Sequence, residues 1–112
     1  MEKYSHGGEI YNKKVTLDYS TNINPLGLPT SVKSVLINNL DQFVLYPDNN
    51  CSTLSTAIAD YEQINKDFII CGNGASDLIF RLCFAIKPKK ALLLAPTFSE
   101  YEKALHAAGS YI

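Results

Sequence analysis

The spacing of apolar residues changes several times along the chain, and each change predicts an element. Val15, Leu17 and Tyr19 alternate with polar neighbours, so 15–19 reads as a short strand or an extended arm. The stretch from Asn22 to Pro29 holds two prolines and a glycine and reads as a loop. Thr30 or Ser31 then caps a helix to about residue 41, with Val32, Val35, Leu36 and Leu40 on its apolar face. Tyr46-Pro47-Asp48-Asn49-Asn50 is turn chemistry. Ser52 caps a second helix carrying Leu54, Ala57, Ile58 and Tyr61 on one face.

From residue 68 the pattern is that of an α/β domain. Phe68–Cys71 reads as a strand, and 75–86 as a helix apolar nearly all round, which predicts packing on more than one side. Lys87-Pro88 stops that helix. Ala91–Ala95 is the continuous apolar run of a strand buried on both faces. A further helix over about 98–108 shows Tyr101, Ala104, Leu105 and Ala108 on one face, with Gly109 as its stop, and Ser110–Ile112 opens another strand. The order strand, helix, strand, helix, strand predicts a mainly parallel sheet with flanking helices. So few strands cannot cover a helix apolar all round, so the pattern is expected to be the opening of a longer domain. No internal repeat or low-complexity segment interrupts it.

Composition narrows the classes. The 112 residues are 46% hydrophobic and 19% charged, with a net charge of −1. That balance carries no electrostatic footprint for nucleic acid or an anionic membrane. No apolar run has membrane-spanning length, and the N-terminus lacks the apolar core of a signal peptide, so a cytoplasmic protein is expected. Three cysteines, Cys51, Cys71 and Cys83, include no C-x-x-C pair, so neither a metal site nor a disulfide framework is expected. Cys71 and Cys83 read as small apolar residues, whereas Cys51 lies in a polar turn.

Candidate chemistry concentrates where the strand 68–71 passes through Gly72-Asn73-Gly74 into a helix. A helix start carries unpaired amides and partial positive charge, and glycines let an anion approach them. Ala75 and Ser76 offer amides there, Ser76 adds a hydroxyl, and the natural ligand is a phosphate. Two readings stand side by side, because glycine turns also join strands to helices without any ligand, and Asp77 can complete a cap. A dinucleotide fingerprint fits poorly: Asp77 stands where the third glycine belongs, and Ala95-Pro96-Thr97 where the acidic residue belongs. No Gly-Lys-Ser/Thr occurs, which excludes a P-loop. Phe98, at the next strand end, offers a ring to stack on a flat cofactor, or else is a core residue at a helix start.

Several stretches taken together carry a resemblance: His6-Gly7-Gly8, Leu17–Pro29, Tyr46-Pro47-Asp48, Gly72–Ile79 and Ala95–Leu105. In this order and spacing they resemble the N-terminal part of a fold-type I pyridoxal-phosphate enzyme, over essentially the whole chain. The nearest branch is that of the threonine-phosphate decarboxylases of cobalamin synthesis, related to the histidinol-phosphate aminotransferases. The resemblance implies that Gly74, Ala75 and Ser76 hold the phosphate of pyridoxal 5'-phosphate and that Phe98 stacks on its ring. It implies that Tyr46 reaches the cofactor phosphate of a partner subunit, hence a homodimer with shared sites. It implies that His6, Gly7 and Asn22 bind a phosphorylated amino-acid substrate. Without it, Tyr46 is a turn tyrosine, His6 a terminal histidine and Asn22 a loop-capping residue. It further implies an N-terminal arm and first helix over 1–45, and the start of the large cofactor-binding α/β domain over 46–112. The lysine, aspartate and arginine that do the family's chemistry match no position here, so the chain alone is expected to be catalytically silent. Arg81, mid-helix, reads as a surface or interface residue. The rival of another class is a non-catalytic phosphate-binding or dimerisation module.

Overall fold

The computed structural model describes residues 7, 8, 11 and 14–112. Backbone packing divides the chain into two units, Met1–Asp48 and Asn49–Ile112.

In the first unit the only α-helix among the described residues is α1, Thr30–Asn38. Its N-cap is Pro29, not Thr30 or Ser31, and no side chain caps it. Proline's fixed φ suits that position, and the Pro29 carbonyl accepts the Lys33 N–H at 3.0 Å. The expected helix to residue 41 stops early because Asn39 turns its side-chain amide onto the Val35 carbonyl, at 2.8 Å. A 3₁₀ turn, Leu40–Val44, continues from there. The loop before α1 closes on Asn24: its side chain accepts the Leu26 N–H and donates to the Gly27 carbonyl, both at 3.0 Å. Gly27 holds φ +74°, which suits a glycine. The strand expected at 15–19 does not form, and this segment is irregular.

The second unit contains α2 (Ser52–Glu62), α3 (Gly74–Ile86) and α4 (Ser99–Ala107). Helix α2 ends with Gln63 at φ +56° and the Ile64 N–H on the Ala59 carbonyl, a left-handed stop. The strand expected at 68–71 is displaced at its start by a 3₁₀ turn, Lys66–Phe68. Asn65 causes it, its side chain accepting the Asp67 N–H at 3.0 Å. Helix α3 runs to Lys87 at φ +48°, and Gly109 at φ +79° follows α4.

The mainly parallel sheet expected of an α/β chain is absent among the described residues. One isolated parallel bridge pairs Lys90 with Tyr111. It is closed by Ala91 N–H to the Tyr111 carbonyl at 2.9 Å and Tyr111 N–H to the Lys89 carbonyl at 3.0 Å. Residues 68–71 and 92–95 run without a ladder. An apolar run encodes a need for burial, but a strand also needs a partner, and here Leu92 and Leu94 are exposed. Burial of α3 on several sides is likewise not met. It packs against α4, yet none of its residues is buried. The buried apolar residues of this unit are Ala59, Ala104 and Leu105, and Ser110, also buried, donates its N–H to the Leu105 carbonyl at 2.9 Å. Ser110 ties the bridge to the end of α3 by donating its hydroxyl to the Pro88 carbonyl at 2.6 Å.

Candidate functional site

The glycine turn has a defined geometry. Asn73, at φ −81° and ψ 70°, forms an inverse γ-turn closed by the Gly74 N–H on the Gly72 carbonyl at 2.9 Å. A Cβ on Gly72 would lie 2.6 Å from Leu78 Cδ2 and 2.8 Å from Asp77 Oδ2, so this position sits hard against the first turn of α3. Gly74 has φ +83°, and a Cβ there would meet nothing within 4 Å. Above Gly74 the turn is therefore open, and the first amides of the 13-residue helix α3 follow directly. Gly74 and Ala75 are exposed and Ser76 is half-buried.

Asp77 is the expected cap, with both its oxygens engaged. Oδ2 accepts the Asn73 N–H and Oδ1 the Arg81 Nε–H, each at 3.0 Å. Arg81 is thus an exposed partner of Asp77 one turn along the helix. Asn73, at the N-cap, makes no side-chain cap, so the Ala75 and Ser76 amides are left to an outside acceptor. Phe98 occupies the N-cap position of α4, and its ring stands edge-on to Tyr101, with centroids 6.2 Å apart at 88°. It is 44% exposed, so the reading as a core residue is not met. The structure brings Gly74, Ala75 and Ser76 together and places Phe98 in the same unit, on the helix packed against theirs.

Gly7, Asn22 and Tyr46 belong to the other unit, while His6 lies outside the described residues. Tyr46 is fully exposed and lines an open groove of about 570 Å³ with Val35, Leu36, Phe43 and Pro47. Gly7 is packed on Ser20: a Cβ would lie 2.0 Å from the Ser20 carbonyl oxygen. Gly8, at φ +83°, donates its N–H to Ser20 Oγ at 2.8 Å. Asp18 gathers this loop. Its Oδ1 accepts the Ser20 N–H at 2.7 Å and also the Ser20 hydroxyl, and its Oδ2 accepts the Thr21 hydroxyl at 3.2 Å. These bonds, that of the Ser20 hydroxyl first, hold the Asp18 carboxyl below its ordinary value. Asn22 follows, exposed. Sequence reasoning missed Asp18, although an aspartate two and three residues before Ser and Thr is a local turn signal.

The cysteines are free and half-buried, and Cys71 Sγ lies 3.6 Å from Ser55 Oγ. Among the described residues no group of three or more His, Cys, Asp or Glu could hold a metal ion, and no helix is long and apolar enough to cross a membrane.

Residues 14–112 match the family of class I and II aminotransferases. The chain is 40% identical to the threonine-phosphate decarboxylase of Salmonella typhimurium, over 96% of its own length and 32% of that protein. It is 35% identical to the adenosylcobalamin biosynthesis bifunctional protein of Leptospira interrogans, over 94% of its length and 13% of that protein. A histidinol-phosphate aminotransferase of Bacillus velezensis is 30% identical, over 81% of this chain and 26% of its own. The chain thus spans about a third or less of the length of these relatives.

Proposed function

This chain belongs to the class I and II aminotransferase family, and from that premise we propose that it is the cofactor-phosphate and substrate-recognition part of a pyridoxal-phosphate enzyme. The substrate is a phosphorylated amino acid, and L-threonine O-3-phosphate decarboxylation fits best. The reading of the substrate rests on 40% identity to a threonine-phosphate decarboxylase across 96% of the chain, whereas histidinol-phosphate aminotransferases reach 35% over 86% of it or 42% over only 54%. On this reading the parent enzyme takes the fold-type I α/β architecture of its family, although residues 92–95 form no ladder in this chain.

The observation that carries the proposal is the opening above Gly74. A glycine at φ +83° with empty space where a Cβ would stand, ahead of the uncapped amides of a 13-residue helix, fits a phosphate. Ala75 and Ser76 would donate their amides and Ser76 its hydroxyl, with roughly half a positive charge from the helix dipole behind them. Asp77 does not compete, because Asn73 and Arg81 already occupy its oxygens. Phe98, held by Tyr101, would lie against the cofactor ring. Tyr46 would reach the same phosphate in a second copy of the chain, making a homodimer with shared sites. Gly7, Asn22 and His6 would face the substrate's own phosphate and carboxylate.

When bound, the cofactor supplies an electron sink for the bond broken at the substrate α-carbon. The residues of this chain bind and orient. An amide spectrum of the ¹⁵N-labelled chain tests the reading. Pyridoxal 5'-phosphate and inorganic phosphate are expected to shift the Ala75 and Ser76 amides, and pyridoxal without its phosphate is not. Amides indifferent to both phosphates would end the proposal, as would an equal response to pyridoxal.

A further inference from the structure

We infer that Asp18 is a positioning residue: its carboxylate holds the Gly7-Gly8 pair on the Ser20–Asn22 loop and so shapes the substrate-phosphate end of the proposed site. The inference rests on the functional reading above for what is positioned. For how it is positioned, it rests only on geometry within the first unit.

Four hydrogen bonds build the clamp. Asp18 Oδ1 takes both donors of Ser20, its N–H at 2.7 Å and its hydroxyl. That bond uses the one proton of the Ser20 hydroxyl and aims a lone pair of Oγ at Gly8, whose N–H it accepts at 2.8 Å. Asp18 Oδ2 takes the Thr21 hydroxyl at 3.2 Å, which fixes the next residue before Asn22. Bonds to an ionised acceptor are the stronger kind, so the carboxylate sets the rotamers of both hydroxyls.

The two glycines are cut to this clamp. A Cβ at position 7 would lie 2.0 Å from the Ser20 carbonyl oxygen, and that atom is main chain and cannot swing away. At position 8 a Cβ would lie 2.9 Å from Thr21 Cγ2, and φ is +83°. The backbone of 7–8 therefore rests directly on that of 20–21, across a sequence gap of 12 residues. With both hydroxyl protons donated to Asp18, neither Ser20 nor Thr21 has one left for a ligand. Recognition of a phosphate at this end falls to the neighbours that the clamp orients, the Gly7 amide and the Asn22 side chain. An aspartate serves because it accepts three bonds and donates none.

The test is an amide-exchange and titration experiment on the ¹⁵N-labelled full chain, with L-threonine O-3-phosphate as the probe. In the unaltered chain, Gly8 is expected to exchange slowly, and the probe to shift the Gly7 amide and the Asn22 side-chain amide. Asp18→Ala should speed Gly8 exchange by about tenfold or more and weaken the probe's half-saturation by a similar factor, the scale of a lost bond to a charged group. Ser20→Ala removes the Gly8 acceptor and its link to Asp18 but leaves the Asp18 bonds to the Ser20 N–H and the Thr21 hydroxyl. It should reproduce the exchange effect, which guards against Asp18→Ala acting by general unfolding. The Ala108 amide in the second unit should not change in either variant. Unchanged Gly8 exchange in Asp18→Ala would overturn the clamp. Faster exchange with undiminished probe binding would overturn the positioning role and leave a purely structural one. If the unaltered chain shows no probe response at Gly7 or Asn22, the substrate reading falls, and the positioning role with it, while the exchange data still decide the clamp.

Discussion

The two units are held together by different forces. In the second, apolar packing does the work: Ala104 is wholly buried, Leu105 and Ala59 nearly so, and α3 lies along α4. In the first, no described residue is buried, and side chains bonded to main chain set the local conformation. Asp18, Asn24 and Asn39 each do this within four residues of themselves. A net hydrogen bond in water is worth only about 1 kcal/mol, whereas a buried leucine is worth about 2 kcal/mol or more. The first unit is therefore weakly stabilised, and the second draws on the apolar packing around α4. The proposed roles divide the same way. The proposed phosphate turn opens a helix of the packed unit, and the proposed substrate contacts sit on the polar loops, from the low-stability end where ligand-ordered segments are found.

The largest break in this contrast comes from Ala104→Asp. The site has no exposed surface, so a carboxylate there must either be buried without a partner or force α4 away. A loss of about 3 kcal/mol or more is expected, with the second unit unfolding in denaturant while Gly8 exchange in the first stays as it was. Leu105→Ala should act the same way at about 2 kcal/mol. Circular dichroism follows the helices and amide exchange follows Gly8. A parallel loss at Gly8 would show that the units share their stability.

These helices were also what the residues announced in advance. Helix α3 falls at Gly74–Ile86 against an expected 75–86, and α4 at Ser99–Ala107 against about 98–108. Helical bonds close within four residues, so spacing and stop signals suffice to place them. The strands failed for the opposite reason. Leu92 and Leu94 state that a surface is to be covered, but the partner of a ladder lies elsewhere in the chain, and among the described residues only Lys90 and Tyr111 pair as a β-bridge. The site divides likewise. The open turn at Gly74 and the Asp77 cap are local and were legible. The clamp of Asp18 on Gly8 depends on Gly8 meeting Ser20, twelve residues further along the chain, which no spacing rule encodes.

A smaller effect is expected at the turn itself. Gly74→Ala meets no atom, so packing is unchanged, but a Cβ at φ +83° costs about 1–2 kcal/mol. Part of that cost should appear as fraying of the first turn of α3. The readout is the response of Ser76 to inorganic phosphate, which should weaken several-fold while α4 stays protected. A variant that binds phosphate as well as the unaltered chain would show that the left-handed turn is structural.

The smallest effect, confined to the first unit, is one of pH. The Asp18 carboxyl titrates below its ordinary value of 3.8, chiefly because the Ser20 hydroxyl and N–H bond its charged form. For a group depressed in the folded state, the stabilisation is present above the ordinary value and disappears as pH falls through the depressed one. Gly8 protection, corrected for intrinsic exchange, should then be flat from about pH 7 to pH 5 and decline only below about pH 4. Protonated Asp18 loses one acceptor site to its own proton, and the Ser20 hydroxyl is released to turn away from Gly8. The Ala108 N–H, held by the Ala104 carbonyl at 2.9 Å inside the packed unit, is the internal reference and should not follow this curve. A decline already complete by about pH 5 would assign the transition to a group of higher pKa than Asp18 and remove the carboxylate from the account of how this loop is held.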